Sequence, residues 1–137
     1  MWMPWIKYGR KKSNGVRKIK DNKRTTGTKY EQRARAFLEE NGVKILEQNF
    51  RNRIGEIDLI GRDGEYLVFF EVKYRKDDKC GSPAEAVTYQ KQKTICKVSD
   101  FYRVKMGIGE FSPMRYDVIS ICGEELHWIK NAFDYRY

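Results

Sequence analysis

A chain of 137 residues is one ordinary domain with room for a single buried core. With 40% hydrophobic and 34% charged residues it reads as globular, and no apolar run approaches the ~18 residues that span a bilayer. The formal charge of +9 is concentrated at the start, where residues 1–26 hold nine Lys or Arg against the single acid Asp21.

Scarce residue types narrow the chemistry further. His127 is the one histidine, which argues against a histidine-rich zinc site and a Ser-His-Asp triad. Cys80, Cys96 and Cys122 are odd in number and form no CxxC spacing, so they read as free thiols in a reducing cytoplasm. The opening MWMPWI is too short for the apolar region of a signal peptide and has no basic lead before it. The expectation is a cytoplasmic protein with no membrane partner.

Residues 1–26 form a basic arm with little hydrophobic periodicity, expected not to join a core. Such an arm, Lys11 and Lys12 included, attracts phosphate backbones by counterion release, although a solvated extension fits the same composition. The domain proper is expected over residues 27–137. Thr28 to Glu31 fits a capping box, and Tyr30, Ala34, Phe37 and Leu38 then recur at helical spacing until Asn41-Gly42 stops the helix. A first strand follows over Val43 to Phe50. Arg51 and Arg53 then either grip a phosphate or stand as exposed turn charges.

Residues 53–75, RIGEIDLIGRDGEYLVFFEVKYR, read as two strands about an Asp63-Gly64 turn. With those two residues as the loop, Arg62 pairs with Glu65, Ile60 with Leu67, Asp58 with Phe69 and Glu56 with Glu71. One face is apolar: Ile57, Leu59, Tyr66, Val68, Phe70 and Val72. The other carries Ile60, Leu67 and Phe69 near the turn and Glu56, Asp58, Glu71 and Lys73 at the far end. Asp58 and Glu71 become diagonal neighbours roughly 7–8 Å apart. Like charges so close need protonation, a partner or a bridging cation. Mg²⁺ or Mn²⁺ suits such a cluster of hard oxygens; a salt bridge from Lys73 on a solvated strand end is the competing reading.

Arg75, Lys76 and Lys79 lie in the polar loop that follows, placed to touch a nucleic-acid backbone or simply solvated. Ser82-Pro83-Ala84-Glu85 has the signals of a second helix start, and the helical run to about Lys105 is expected to bury Ala86, Val87, Ile95, Val98, Phe101 and Tyr102. Lys91 falls on its polar side. Strands are expected over Met114 to Cys122 and Leu126 to Ile129, with Arg115 and Asp117 alternating as at a sheet edge. The order α-β-β-β-α-β-β predicts an α/β fold, a mixed sheet with helices on both faces.

Asp58 followed by Glu71-Val72-Lys73 resembles the PD-(D/E)XK nuclease signature, and GEIDLIGRD, LVFFEVKYR, GSPAEAV, Lys91, RYDVI and NAF resemble the YraN-like family of bacterial proteins. The resemblance runs from about Gly27 to Phe133. It implies a restriction endonuclease-like core of four or five strands and a Holliday-junction-resolvase-like metal-dependent nuclease, with DNA favoured over RNA. Asp58, Glu71 and Glu31 would hold the Mg²⁺ or Mn²⁺, and Lys73 and Lys91 would assist catalysis. Glu31 thus has two readings, helix cap and site acid, and Tyr30 stands where the family pattern leads us to expect a small residue. Resolvase-like chemistry further implies a homodimer, to cut two strands. A binding module that keeps the fold without catalysis is the alternative.

Overall fold

The computed structural model describes residues 23–76, 80 and 87–137. Seven elements follow in the expected order: α1 (Lys23–Glu40), β1 (Lys44–Arg51), β2 (Glu56–Asp63), β3 (Tyr66–Arg75), α2 (Tyr89–Lys105), β4 (Met114–Cys122) and β5 (Glu125–Ile129). The five strands lie in sequence order across one sheet. All neighbours are antiparallel except β3 and β4, whose parallel pairing requires a crossover that α2 supplies. This is the α/β mixed sheet that the element order implied, and it agrees with the restriction endonuclease-like core that the resemblance implied. None of the described helices is long and apolar enough to cross a membrane.

Each helix covers one face of the sheet. Ala34 and Leu38 of α1 pack with Val43, Leu59, Val68, Phe70, Ile119 and Ile121. Ile95, Cys96, Val98 and Tyr102 of α2 pack with Phe50, Ile57, Ile60, Leu67, Phe69, Tyr116 and Val118. Phe101, expected inside, is 49% exposed. It sits one residue off the stripe formed by Ile95, Val98, Ser99 and Tyr102, and the buried Ser99 is satisfied by the Tyr116 hydroxyl at 2.7 Å.

Helix ends depart from the expectation in instructive ways. α1 starts at Lys23, inside the stretch assigned to the arm, so Thr28 is an interior position and the capping box does not form. Gly27 costs about 1 kcal/mol against Ala in a helix, which lowers propensity without breaking the ladder. The far end matches: Gly42 takes φ +88°, and the Val43 and Gly42 amides donate to Leu38 and Glu39 carbonyls, a Schellman closure. α2 is capped by Thr88, whose hydroxyl accepts the Lys91 amide at 3.2 Å. Residues 82–86, read as a helix start, lie outside the described residues, as does Lys79.

The central hairpin is displaced by one position. Its loop residues are Gly64 and Glu65, closed by Asp63 opposite Tyr66, so Ile60 faces Phe69 and Leu59 faces Phe70. A slide of a two-residue loop by one position changes partners yet preserves which side chains share a face. Alternation fails at one point, because Ile57 joins the α2-side core with Ile60 while Leu59 joins the α1-side core.

Two further expectations are corrected. β4 is not an edge, since β5 pairs beyond it, and Asp117 is fully buried. Its carboxylate accepts from Arg115 at 3.0 and 2.8 Å, from the Trp128 indole at 3.0 Å and from the Asn131 amide at 2.8 Å. Arg115 also reaches Asp63 at 2.8 Å, tying β4 to the hairpin turn. Cys80 and Cys122, expected as free thiols, form a disulfide, with Cα atoms 6.1 Å apart; Cys96 alone is free, and buried. A separation of 42 residues conceals what the parallel β3–β4 pairing creates, for it sets Arg75 beside Cys122.

Truncating one partner of a buried ion pair leaves the other uncompensated. Asp117→Ala is therefore expected to cost about 3 kcal/mol, read as a lower denaturant midpoint, whereas Asp63→Ala, on the exposed side of Arg115, should cost about 1 kcal/mol or less.

Candidate metal centre

The backbone ladder between β2 and β3 runs from the turn to Leu59 opposite Phe70. Beyond it Asp58 takes over from the backbone: its Oδ2 accepts the Val72 amide at 2.8 Å. The slipped register carries Asp58 from the expected diagonal position to the place opposite Glu71. Their carboxyls lie within hydrogen-bonding reach, a contact that two carboxyl groups can use only by sharing a proton.

Glu71 is only 5% exposed, and its Oε2 is buried with no hydrogen-bond donor. Its Oε1 lies 3.7 Å from Lys73 Nζ and 3.9 Å from Lys91 Nζ. These separations are too long for hydrogen bonds, so the two ammoniums act as neighbouring charges. Lys73 comes from the same strand. Lys91 arrives from α2, in the first turn that the Thr88 hydroxyl caps.

Glu31 approaches from α1. Freed from the expected cap, its carboxylate accepts from the Asn49 side chain, and it shares the site with Glu56 and Asp58: one oxygen of each lies within 4.8 Å of the others. Asn49 takes φ +54°, a left-handed conformation that Asn tolerates better than most residues. The large Tyr30 ring does not displace Glu31, because it stacks on Tyr74 with centroids 3.4 Å apart. Glu56, in turn, is held by its cross-strand partner Arg51, whose guanidinium meets both carboxylate oxygens at 3.2 and 3.5 Å.

Charge and burial act together here. Burial, and then the Asp58 charge, push Glu71 up to about 8, against the opposing pull of Lys91 and Lys73. The same two causes raise Glu31 to about 7, partly offset by the Asn49 hydrogen bond. Burial raises Asp58 as well, opposed first by the Val72 amide. These acids are therefore reluctant to ionise, and the buried Glu71 Oε2 has no hydrogen bond to offset its burial. The donors are all carboxylate, the chemistry that Mg²⁺ and Mn²⁺ select over soft metals.

The structure thus brings together the expected Glu31, Glu56, Asp58, Glu71, Lys73 and Lys91, and joins to them a further residue, Asn49. An Asn inside an otherwise strand-like stretch was the one available sign of the latter, since Asn is poor at strand formation. Of the cationic residues read as nucleic-acid contacts, Arg51 pairs with Glu56 at the site, Arg53 and Lys76 are exposed, and the Arg75 guanidinium donates to the Cys80 carbonyl at 2.8 Å. Lys11, Lys12 and Lys79 lie outside the described residues.

A mixed sheet with a carboxylate cluster at the splayed end of its central hairpin defines an α/β protein with a restriction endonuclease-like core. The family described as Uncharacterised protein family UPF0102 matches residues 30–121. A UPF0102 protein of Lachnoclostridium phytofermentans is 44% identical over 113 residues, covering 82% of this chain and 96% of the relative. One from Legionella pneumophila strain Corby is 45% identical over 106 residues (76% and 90%), and one from Syntrophus aciditrophicus 46% over 116 (82% and 91%). The chain belongs to the UPF0102 family, the YraN-like proteins that its motifs resemble.

The raised acids give a signed stability profile. Glu31 and Glu71 are ordinarily near 4.5 and titrate higher in the folded state, so the native protein binds more protons between those values. Without added metal, stability should be greatest near pH 4.5 on this account and fall as pH rises through about 7 and 8. Melting temperature against pH checks this, and Glu71→Gln should flatten the upper part of the fall. A curve unchanged by that substitution would count against the site as described.

Proposed function

We propose that this protein is a metal-dependent nuclease that hydrolyses phosphodiester bonds in DNA, branched or otherwise structured DNA being the substrate that the family resemblance favours. The observation that carries the reading is the buried, donor-less Glu71 Oε2 beside Asp58, with two ammoniums converging on the same carboxylate. Asp58 and Glu71 would hold a Mg²⁺ or Mn²⁺ ion, with Glu31 and Glu56 completing its surroundings. The ion would supply a polarised phosphoryl oxygen and an acidified water.

The chain's own residues account for the rest. The Val72 amide fixes one Asp58 oxygen and leaves the other to face the site. Arg51 holds Glu56 and offsets part of the cluster's negative charge. Lys73 and Lys91, already near the Glu71 carboxylate, would meet a bound phosphate from two sides and offset charge that builds on it during attack. Arg53, Arg75 and Lys76, with Lys11, Lys12 and Lys79, would grip the flanking backbone without reading sequence. A homodimer would place two such sites on opposite strands. The reading places the chain in the bacterial cytoplasm, where its substrate is.

Linear, flapped and four-way DNA incubated with Mn²⁺ tests the proposal. Cleavage is expected from the wild type, with a fall of about 10²–10³ in Lys73→Ala, the scale of losing one charge-stabilising donor. Equal activity in both proteins would trace cleavage to a contaminant. Binding without cleavage under any metal would leave the non-catalytic module. Separately, Mn²⁺ at 100 times its dissociation constant should stabilise the fold by about 2.7 kcal/mol, and Asp58→Ala should abolish that gain.

A further inference from the structure

The turn at Cys122–Gly123 is where two site-bearing elements, α1 and β3, meet the link that leads to α2. Cys122 ends β4 and pairs in register with Arg75, which ends β3 two residues past Lys73. The Gly123 amide donates to the Arg75 carbonyl at 3.2 Å. Arg33 of α1, two residues past Glu31, donates to the Gly123 carbonyl at 3.4 Å and lies over the Tyr30 ring that stacks on Tyr74. The third connection is the Cys80–Cys122 disulfide, reinforced by the Arg75 guanidinium on the Cys80 carbonyl. Cys80 lies on the link from β3 to α2, between Lys73 on the strand and the Thr88 cap that precedes Lys91.

Two points argue that this bond does more than staple the fold. Small secreted domains need disulfides because their cores are insufficient; here two buried clusters flank a five-stranded sheet. Both sulfur-bearing residues are also partly exposed, open to a reductant, whereas the remaining thiol, Cys96, is buried and poorly placed to scramble the pair. A partly exposed disulfide in a chain that folds around an independent core suits a reversible role.

We infer that Cys80 and Cys122 form a thiol–disulfide switch on the candidate site, whose oxidised form ties the link between β3 and α2 to the end of β4 and whose reduction loosens the Lys91 side. As regulation of that site, the inference rests on the metal-centre reading above. The chemistry is a two-electron exchange with a dithiol reductant. One reductant thiolate attacks a sulfur of the pair and expels the other as thiolate. The second reductant thiol then resolves the mixed disulfide. Cys80 and Cys122 end as thiols with two protons gained, and the reductant ends as its own disulfide.

The test uses the full chain equilibrated with oxidised or reduced dithiothreitol, with no metal or nucleic acid present. Thiols titrated in denaturant should rise from one to three per chain, and the melting temperature should fall by about 10 °C for release of a bond across 42 residues. Hydrogen exchange supplies the decisive readout. The amides of Lys91, capped by Thr88, and Val72, bound to Asp58, should lose protection by about tenfold or more, while Val43 at the α1 cap keeps its own. Cys122→Ser should behave as reduced under both conditions, and Cys96→Ser should still respond. Three thiols without reductant would overturn the inference, as would a melting shift with no selective change at Lys91 and Val72. Either failure leaves the nuclease reading standing, since that reading falls only with metal binding and cleavage.

Discussion

Past Leu59 and Phe70 the central ladder stops, and the Asp58 carboxylate accepts the amide that a backbone carbonyl would otherwise take. The rest of the site depends on that substitution. A carboxylate in the ladder parts the strand ends, so the side chains beyond it converge from the sheet and from both helices. It also places a charge where burial is already severe, which is why Glu71 and Glu31 are pushed upward. A sheet that stayed paired to its end would bury Asp58 in one layer and leave Glu31 and Lys91 on opposite sides of it.

Opposed charges manage the cost of assembling these acids. Arg51 neutralises Glu56 at the exposed margin, while Lys73 and Lys91 stand near Glu71 without bonding it. The distinction matters. A tightly bonded Lys–Glu pair would close the site, whereas ammoniums at 3.7 and 3.9 Å remain available to a bound anion. The acidic group around Asp117, by contrast, is fully satisfied by Arg115, Trp128 and Asn131, and holds the far end of the sheet together. Two polar clusters in one sheet are thus separable by their hydrogen bonds: one complete, one lacking a donor.

The disulfide adds a covalent tie at the same strand end as the site. Because β3 and β4 run parallel, their C-terminal ends adjoin, and Cys80, which follows β3, is tied there to Cys122 at the end of β4.

Much of this was legible in the residue order alone. Alternation along β2 and β3, the turn residues and the two helical stretches determined the element order, the mixed sheet and the grouping of Asp58, Glu71 and Lys73 at one end of the hairpin, because local periodicity dictates which side chains share a face. Glu31 and Lys91 entered only through the family resemblance and Asn49 not at all, as each reaches the site from a different element through long-range packing that no local pattern encodes. The hairpin register, the burial of Asp117 and the Cys80–Cys122 bond needed the tertiary structure. A one-position slip of a two-residue turn keeps the alternation unchanged, and proximity across a parallel crossover leaves no mark on spacing along the chain. Sequence named the acids; only the folded sheet decided how near they stand.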